Sequence, residues 1–225
     1  MGITGQSLIL WYDSPMKKFI CFDFDGTLTD SSSWLLFNTH FGMTAEEDHS
    51  LFQQYLENGF DYKNWISQIT AILKERNLLT RDSLQGFLQT VVLRDDVLDL
   101  INTCKELGYT TVIISGGLKQ IVEHAVGGLG IDRIITTSEL VFNEDGSFES
   151  IVDQGDEMHA KVKAFEAICE EYGVLPEDAI AVGDGGNDLE IFKKTKKGIL
   201  VGNYEKLKPF AWKQVQSLSE VKELL

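Results

Sequence analysis

Two patterns of apolar residues divide the chain. Between residues 31 and 92, apolar side chains recur at the spacing of amphipathic helices, and no run has strand character. From residue 94 onward, short β-branched runs alternate with amphipathic stretches. Strands and helices that alternate in this way form parallel sheets with helices on both faces. The patterns therefore predict an α/β fold with a helical insertion after its first strand.

Capping residues divide the insertion into predicted helices. The serines at 31–33 precede the first helix, and a capping box opens the second at Thr44. Asp61 and Thr80 are the predicted caps of two more. An insertion of helices at this point is most simply a cap over the end of the first strand. We therefore divide the chain into an N-terminal extension at 1–15, an α/β core at 16–30 and 93–225, and a helical cap at 31–92.

The same patterns place the elements of the core. Predicted strands cover residues 19–24, 109–115, 131–137, 179–182 and 198–201, with a hairpin over 140–151. Predicted helices cover residues 95–107, 118–126, 159–172, 188–195 and a terminal segment from 219. Three of these strands end in polar, glycine-containing turns.

Two carboxylates, Asp23 and Asp25, follow the first strand. Like charges at the end of a buried strand repel each other and resist desolvation, so they require a cation or a proton. An Asp-Gly pair is also a common turn, and alone it would indicate no more. Another strand, however, is followed by Asp184, Asn187 and Asp188. Because the carboxyl ends of parallel strands lie at the same end of a sheet, we expect these groups to converge.

The converging groups predict a site for a metal and an anion. Asp23 and Asp184, with a main-chain oxygen of Asp25 as a further candidate, are hard oxygen ligands that suit Mg²⁺. Ser115 and the amides of the two glycines after it stand just before a predicted helix, where an anion would bind. Phosphate is the expected anion.

Composition narrows the possible partners. A net charge of -15 and a pI near 4.6 argue against nucleic acid or an anionic membrane as the partner, and no apolar run approaches a membrane span.

Cys21, Cys104 and Cys169 lack ligand-like spacing and predict reduced core residues of a cytoplasmic protein. The segment 1–15 is too short and too uncharged for a secretory signal. We expect a cytoplasmic monomer or homodimer that acts on a small phosphorylated metabolite.

The motifs resemble those of the haloacid dehalogenase superfamily, and within it the phosphoserine phosphatase-like branch. Asp-x-Asp-Gly-Thr corresponds to residues 23–27, Ser-Gly-Gly to 115–117, and Gly-Asp-Gly-x-Asn-Asp to 183–188. The family's motif lysine corresponds best by spacing to Lys161, with Lys163 as the alternative. The resemblance covers residues 18–202. It implies a Rossmann-like, haloacid dehalogenase-type fold and a Mg²⁺-dependent phosphomonoester hydrolase.

The resemblance also implies a role for each matched residue. Asp23 would attack phosphorus to give an aspartyl-phosphate, Asp25 would be the general acid and base, and Lys161 would stabilise the transferring oxygens. The implied substrate-binding residues are Thr27, Ser115, Gly116, Gly117 and Asn187. The implied metal-site residues are Asp23, Asp25, Asp184 and Asp188, the last of which would position either Lys161 or a metal-bound water.

Two substrate-binding charges of that branch have no counterpart in this chain. The branch carries a Glu after its first motif, where this chain has serines around Ser32. It also carries an Arg in the cap, at a place that falls near Ile69, and no Arg occurs between Asp61 and Glu75. The amino and carboxylate groups of phosphoserine would lack counter-charges, which puts that substrate in doubt.

Some alternatives remain open. The same intermediate could pass its phosphoryl group to an acceptor other than water, as in a phosphotransferase, or the fold could serve a non-catalytic phosphate-metabolite-binding protein. Lys161 could lie on a solvated helix face, and Asp188 could cap the following helix. The aromatic residues Trp34, Trp65 and Phe52 fit the core of the cap better than a substrate platform.

Overall fold

A central strand, β1 (Lys18–Phe22), organises the fold. The computed structural model describes residues 18–57, 61–155 and 157–225. The predicted extension at 1–15 lies outside these residues. In the described ranges the sheet has seven strands in the order β4-β3-β2-β1-β5-β6-β7, all parallel to their neighbours except β4, which is antiparallel to β3. This mostly parallel sheet with flanking helices confirms the predicted fold class.

The remaining strands are β2 (Tyr109–Leu118), β3 (Arg133–Phe142), β4 (Phe148–Asp153), β5 (Ile180–Gly183), β6 (Lys197–Val201) and β7 (Lys213–Val215). The helices are α1 (Ser33–His40), α2 (Ala45–Glu57), α3 (Tyr62–Arg76), α4 (Arg81–Leu88), α5 (Val97–Glu106), α6 (Lys119–Val126), α7 (Glu157–Tyr172), α8 (Leu189–Lys194) and α9 (Leu218–Lys222).

Strand β1 is buried on both faces of the sheet. Successive side chains of a strand point to opposite faces, so Ile20 and Phe22 pack in one apolar cluster while Phe19 and Cys21 pack in another. Its backbone pairs with β2 on one side and with β5 on the other. A continuous apolar run is therefore required here, and a polar group can follow only where the strand ends.

Helices α1 to α4 follow β1 without an intervening strand, as the sequence predicts, and each begins at a predicted cap. The side chains of Ser32, Thr44, Asp61 and Thr80 each accept a hydrogen bond from a backbone N–H three residues later. Each cap thereby satisfies one of the amide groups left unpaired at a helix start. The division of the chain into cap and core stays a prediction.

Arg94 ties the end of the helical insertion to its beginning. Its backbone N–H donates to the Leu28 carbonyl over 2.9 Å. Its guanidinium donates to the carbonyls of Gly26 over 2.8 Å and Thr29 over 3.3 Å, and it pairs with Asp30 at 3.0 Å. The planar fork of an arginine thus joins the connection between β1 and α1 to the connection between α4 and α5.

Two predictions about the sheet are wrong, and one strand was missed. Strand β3 is one continuous strand that merges the predicted strand at 131–137 with the first half of the predicted hairpin. Residues 115–117 do not form a turn, because β2 continues to Leu118 with an irregular register after Ser115. Strand β7 was not predicted; its three residues pair with β6 at the edge of the sheet.

All three cysteines are free and buried, as the sequence predicts. Among the described residues, no helix combines the length and the apolar character needed to cross a membrane.

Candidate active site

The predicted site residues lie at the carboxyl end of the sheet. Asp23 directly follows β1, Asp184 directly follows β5, and Ser115 lies near the end of β2. These three strands are neighbours in the sheet, and the backbone N–H of Asp23 donates to the Val182 carbonyl of β5 over 2.9 Å. The convergence expected from the sequence is therefore present.

Three carboxylates lie close together at the carboxyl end of the sheet. Asp23, Asp184 and Asp188 each offer an oxygen that lies within 4.8 Å of the other two. Burial raises the pKa of Asp23 well above its usual value, and burial together with the Asp188 charge raises the pKa of Asp184 to about 7. Three acidic groups so close together need positive charge between them. The cluster of hard oxygen donors fits a divalent cation such as Mg²⁺.

Lys161 supplies one positive charge from α7. Its side chain is fully buried, with Nζ 2.9 Å from Asp23 Oδ1 and 2.6 Å from Asp188 Oδ1. Burial alone would lower the pKa of Lys161, but the charges of Asp188 and Asp23 outweigh burial and raise it. The solvated-face alternative for Lys161 is wrong. Lys163, the other candidate, is exposed.

Asp188 stabilises the turn after β5. Its Oδ2 accepts hydrogen bonds from the backbone N–H groups of Asp184 at 3.1 Å and Gly185 at 3.3 Å, while Oδ1 binds Lys161. Its side chain makes no capping bond to α8, so the alternative of a simple helix cap is wrong. The close turn needs Gly183, because a β-carbon there would lie 2.3 Å from Asp188 Oδ2.

Asp25 lies apart from this carboxylate cluster. Its two oxygens accept hydrogen bonds from Ser33, one from the backbone N–H at 2.8 Å and one from the hydroxyl at 2.9 Å. Burial raises the pKa of Asp25 to about 6, against the opposing effect of the Ser33 hydrogen bonds. The side chain of Asp25 is thus held by the start of α1.

The predicted anion-binding residues make hydrogen bonds at this end of the sheet. Ser115 is buried, and its Oγ accepts a hydrogen bond from the Gly117 N–H over 2.9 Å. Asn187 donates from Nδ2 to Glu157 Oε1 over 2.6 Å. Thr27 donates from Oγ1 to Asp184 Oδ1 over 3.3 Å, so its hydroxyl faces the carboxylate cluster.

Glu157 at this site was missed by the sequence reasoning. A β-carbon on Gly116 would lie 1.7 Å from Glu157 Oε1, so the carboxylate packs directly against that glycine. A signal was present in the sequence: Glu157 precedes Lys161 by four residues, and residues so spaced on a helix share a face.

The aromatic residues of the insertion pack mainly with one another. Trp34 and Trp65 are buried with ring centroids 5.0 Å apart, and Tyr62 lies 5.4 Å from Trp65. The Trp34 indole N–H also donates to the Gly116 carbonyl over 3.2 Å. Phe52 is 43% exposed and lies at the margin of the cluster. These rings are core for the most part, but Trp34 also contacts Gly116 at the end of β2.

Comparison with known proteins identifies phosphatases that are similar in sequence to this chain. The phosphoserine phosphatase of Wolinella succinogenes is 28% identical over 185 residues, covering 81% of this chain and 86% of that protein. The phosphoserine phosphatase of a Polaromonas species is 30% identical over 177 residues, covering 76% of this chain and 73% of that protein.

Solved structures show the same fold. A structure described as a phospho-aspartyl intermediate analogue of phosphoserine phosphatase superposes with a TM-score of 0.76 at 24% identity, covering 93% of this chain and 99% of that one. The predicted resemblance to the phosphoserine phosphatase-like branch and the predicted enzyme class, a phosphatase, are confirmed by these relatives. The sequence profile of haloacid dehalogenase-like hydrolases matches residues 17–194, and the chain belongs to that family.

Proposed function

We propose that this protein is a Mg²⁺-dependent phosphomonoester hydrolase of a small metabolite and works through an aspartyl-phosphate. The observation that carries the proposal is the buried network of Asp23, Lys161 and Asp188 beside Asp184. Burying several charges is seldom the best way to stabilise a fold, since desolvation offsets much of their attraction. Charges that are buried at the carboxyl end of the sheet despite this cost support a chemical role.

Asp23 is the proposed nucleophile. Its Oδ1 is held by the Phe24 N–H at 2.7 Å and by Lys161 at 2.9 Å, and Oδ2 takes part in neither contact. Fixing the carboxylate in this way favours attack on phosphorus, because the reacting oxygen loses little freedom in the reaction. Lys161 then lies where it can also neutralise charge on the transferring phosphoryl group.

Asp23, Asp184 and Asp188 are the proposed residues of the metal site, with the main-chain oxygen of Asp25 as an additional ligand. When bound, Mg²⁺ would neutralise charge on the phosphate and on these carboxylates. Asp188 already binds Lys161, so we assign it to holding that lysine and to the outer part of the metal site.

Asp25 is the proposed general acid and base. Two hydrogen bonds from Ser33 hold its carboxyl group two residues beyond the nucleophile. In this role it gives a proton to the leaving alkoxide and later takes one from the attacking water, which the same group can do in turn.

Thr27, Ser115, Gly116, Gly117 and Asn187 are the proposed substrate-binding residues. Ser115 and the following glycines lie at the end of β2, and Asn187 lies in the short helical turn that follows β5. Neutral donors of this kind bind phosphate oxygens without adding charge. Phosphoserine is a candidate through the named relatives, although the expected Glu and Arg counter-charges are missing from the sequence.

The composition supports a cytoplasmic enzyme that binds neither nucleic acid nor membrane, with a net charge of -15 and three free, buried cysteines. Whether it acts as a monomer or a homodimer would be measured by light scattering.

The test is release of phosphate from p-nitrophenyl phosphate with and without Mg²⁺. We expect turnover that requires the metal and that falls by at least about 10³-fold in Asp23→Asn, because an amide cannot act as the nucleophile. Full activity of this variant would refute the proposed nucleophile. Adding alcohols or sugars as acceptors would reveal a phosphotransferase through new phosphate esters, and metal-dependent binding without turnover would indicate a non-catalytic protein.

A further inference from the structure

Glu157 has no role in the proposed hydrolysis, yet its carboxylate lies in the phosphate-binding part of the site. Its Oε1 accepts a hydrogen bond from Asn187 Nδ2 over 2.6 Å and packs against Gly116. Both neighbours are proposed to hold the substrate. A group attached to the bound phosphate would therefore come close to this carboxylate.

The placement of Glu157 follows from the helix that carries it. Glu157 is in the first turn of α7, and Lys161 follows one turn later on the same face. Because Lys161 points into the carboxylate cluster, Glu157 is directed to the same side of the helix.

The local charges make a further negative group unfavourable at this place. Asp23, Asp184 and Asp188 lie close together, and Glu157 shares a helix face with Lys161, which contacts two of them. Lys161 offsets one of these charges, and a bound divalent cation would offset two more, so the site stays acidic before the substrate phosphate arrives. A substrate that brings a positive charge would reduce the repulsion, whereas a neutral one would not.

Two cations close to the carboxylate cluster are already paired. Lys161 is held by Asp23 and Asp188, and Arg94 is held by Asp30 and by backbone carbonyls. A substrate carboxylate placed beside Glu157 would therefore meet another negative charge. The arrangement favours an amino alcohol as the leaving group over an amino acid.

We propose that Glu157 determines the choice of substrate by binding the ammonium group of a phosphorylated amino alcohol. The inference rests on the proposed phosphatase function and names the substrate class of that same site. Glu157 touches the leaving group in this assignment and takes no part in bond breaking.

The test compares two substrates of the same size, 2-aminoethyl phosphate and 2-hydroxyethyl phosphate, which differ in the charge of the terminal group. We expect kcat/KM to be about 10- to 100-fold higher for the amino compound, the range that a hydrogen bond between charged groups supports. Phosphoserine, which adds a carboxylate, should be a poorer substrate than 2-aminoethyl phosphate.

The variant Glu157→Gln removes the charge and keeps the shape. It should lower kcat/KM for the amino compound by the same factor and change the value for the hydroxy compound by less than about threefold. Glu157→Asp should restore part of the preference. Glu170→Gln, on the exposed side of α7, is the matched control and should leave both values unchanged.

The remaining outcomes separate the inference from the function on which it rests. An equal loss on both substrates in Glu157→Gln would show that Glu157 only orients Asn187, and an equal gain would show that it competes with phosphate. Either result overturns the inference while leaving the phosphatase in place. Failure of the wild-type protein to hydrolyse these esters and p-nitrophenyl phosphate would overturn the proposed function and the inference with it.

Discussion

Gly26 lies directly against the carboxylate of Asp184. Its φ is +72°, and a β-carbon at this position would be 2.2 Å from Asp184 Oδ2. Two requirements therefore coincide at one residue: a left-handed backbone and the absence of a side chain. The turn after β1 can approach the end of β5 only because this position has no β-carbon.

The first prediction concerns Gly26→Ala. The added methyl group must push Asp184 aside, so metal-dependent phosphate release should fall by at least about 10²-fold, as for the loss of a transition-state stabiliser. Gly108→Ala is the control, because Gly108 has a similar φ of +76° and no atom within 4 Å of its β-carbon position. Both variants should lose about 1 kcal/mol of unfolding free energy through backbone strain. Equal activity of the two variants would contradict the prediction.

The second prediction concerns the buried lysine. Lys161→Met leaves Asp23 and Asp188 without their shared counter-charge, so the unfolding free energy measured in urea should fall by about 3–5 kcal/mol. Activity should fall by about 10²- to 10⁴-fold. Lys163→Met, exposed on the same helix, should change the stability by no more than about 0.5 kcal/mol. A stability loss of similar size in both variants would indicate that the ion pairs contribute little.

The third prediction concerns the metal. Since the cation should bind the folded carboxylate cluster and not the unfolded chain, Mg²⁺ should raise the melting temperature in a concentration-dependent manner. At about 100 times its dissociation constant it should add about 2.7 kcal/mol to the unfolding free energy. Chelation should reverse the shift and abolish phosphate release. Asp184→Asn should lose most of the shift, and a shift that persists in this variant would place the metal elsewhere.

The fourth prediction concerns the link between the two ends of the helical insertion. Arg94→Ala removes the hydrogen bonds to the carbonyls of Gly26 and Thr29, so both stability and activity should fall, the former by about 1–3 kcal/mol. Arg94→Lys keeps the charge but not the fork and should recover only part of each. Arg76→Ala, which breaks an exposed pair with Glu47, should cost at most about 1 kcal/mol. An equal cost for the Arg94 and Arg76 variants would argue against the link.

Most of the fold could be predicted because its signals are local. Caps such as Ser32 and Thr80 act within three residues, and the apolar run of β1 is needed wherever a strand is covered on both faces. Strand β7 has no such signal, since only Val215 of its three residues is buried. It exists because β6 offers an unpaired edge, which is a tertiary property.

Local sequence patterns also could not predict the extent of β3 or the conformation of residues 115–117. Glycines usually mark the end of a strand, but here pairing with β3 resumes at Leu118 after an irregular stretch. Likewise the burial of Lys161 depends on carboxylates 138 and 27 positions away in the sequence. The spacing between the sequence motifs could identify this lysine as a candidate. Only the folded structure shows which charges it contacts.

Strand β1 has hydrogen-bonded neighbours on both of its edges, and this has a mechanical consequence for Asp23. A residue anchored to the middle of a seven-stranded sheet cannot shift without breaking several main-chain hydrogen bonds at once. Any opening that admits a reactant must therefore be made by the helices around it. The proposed nucleophile is therefore held in place by the sheet itself.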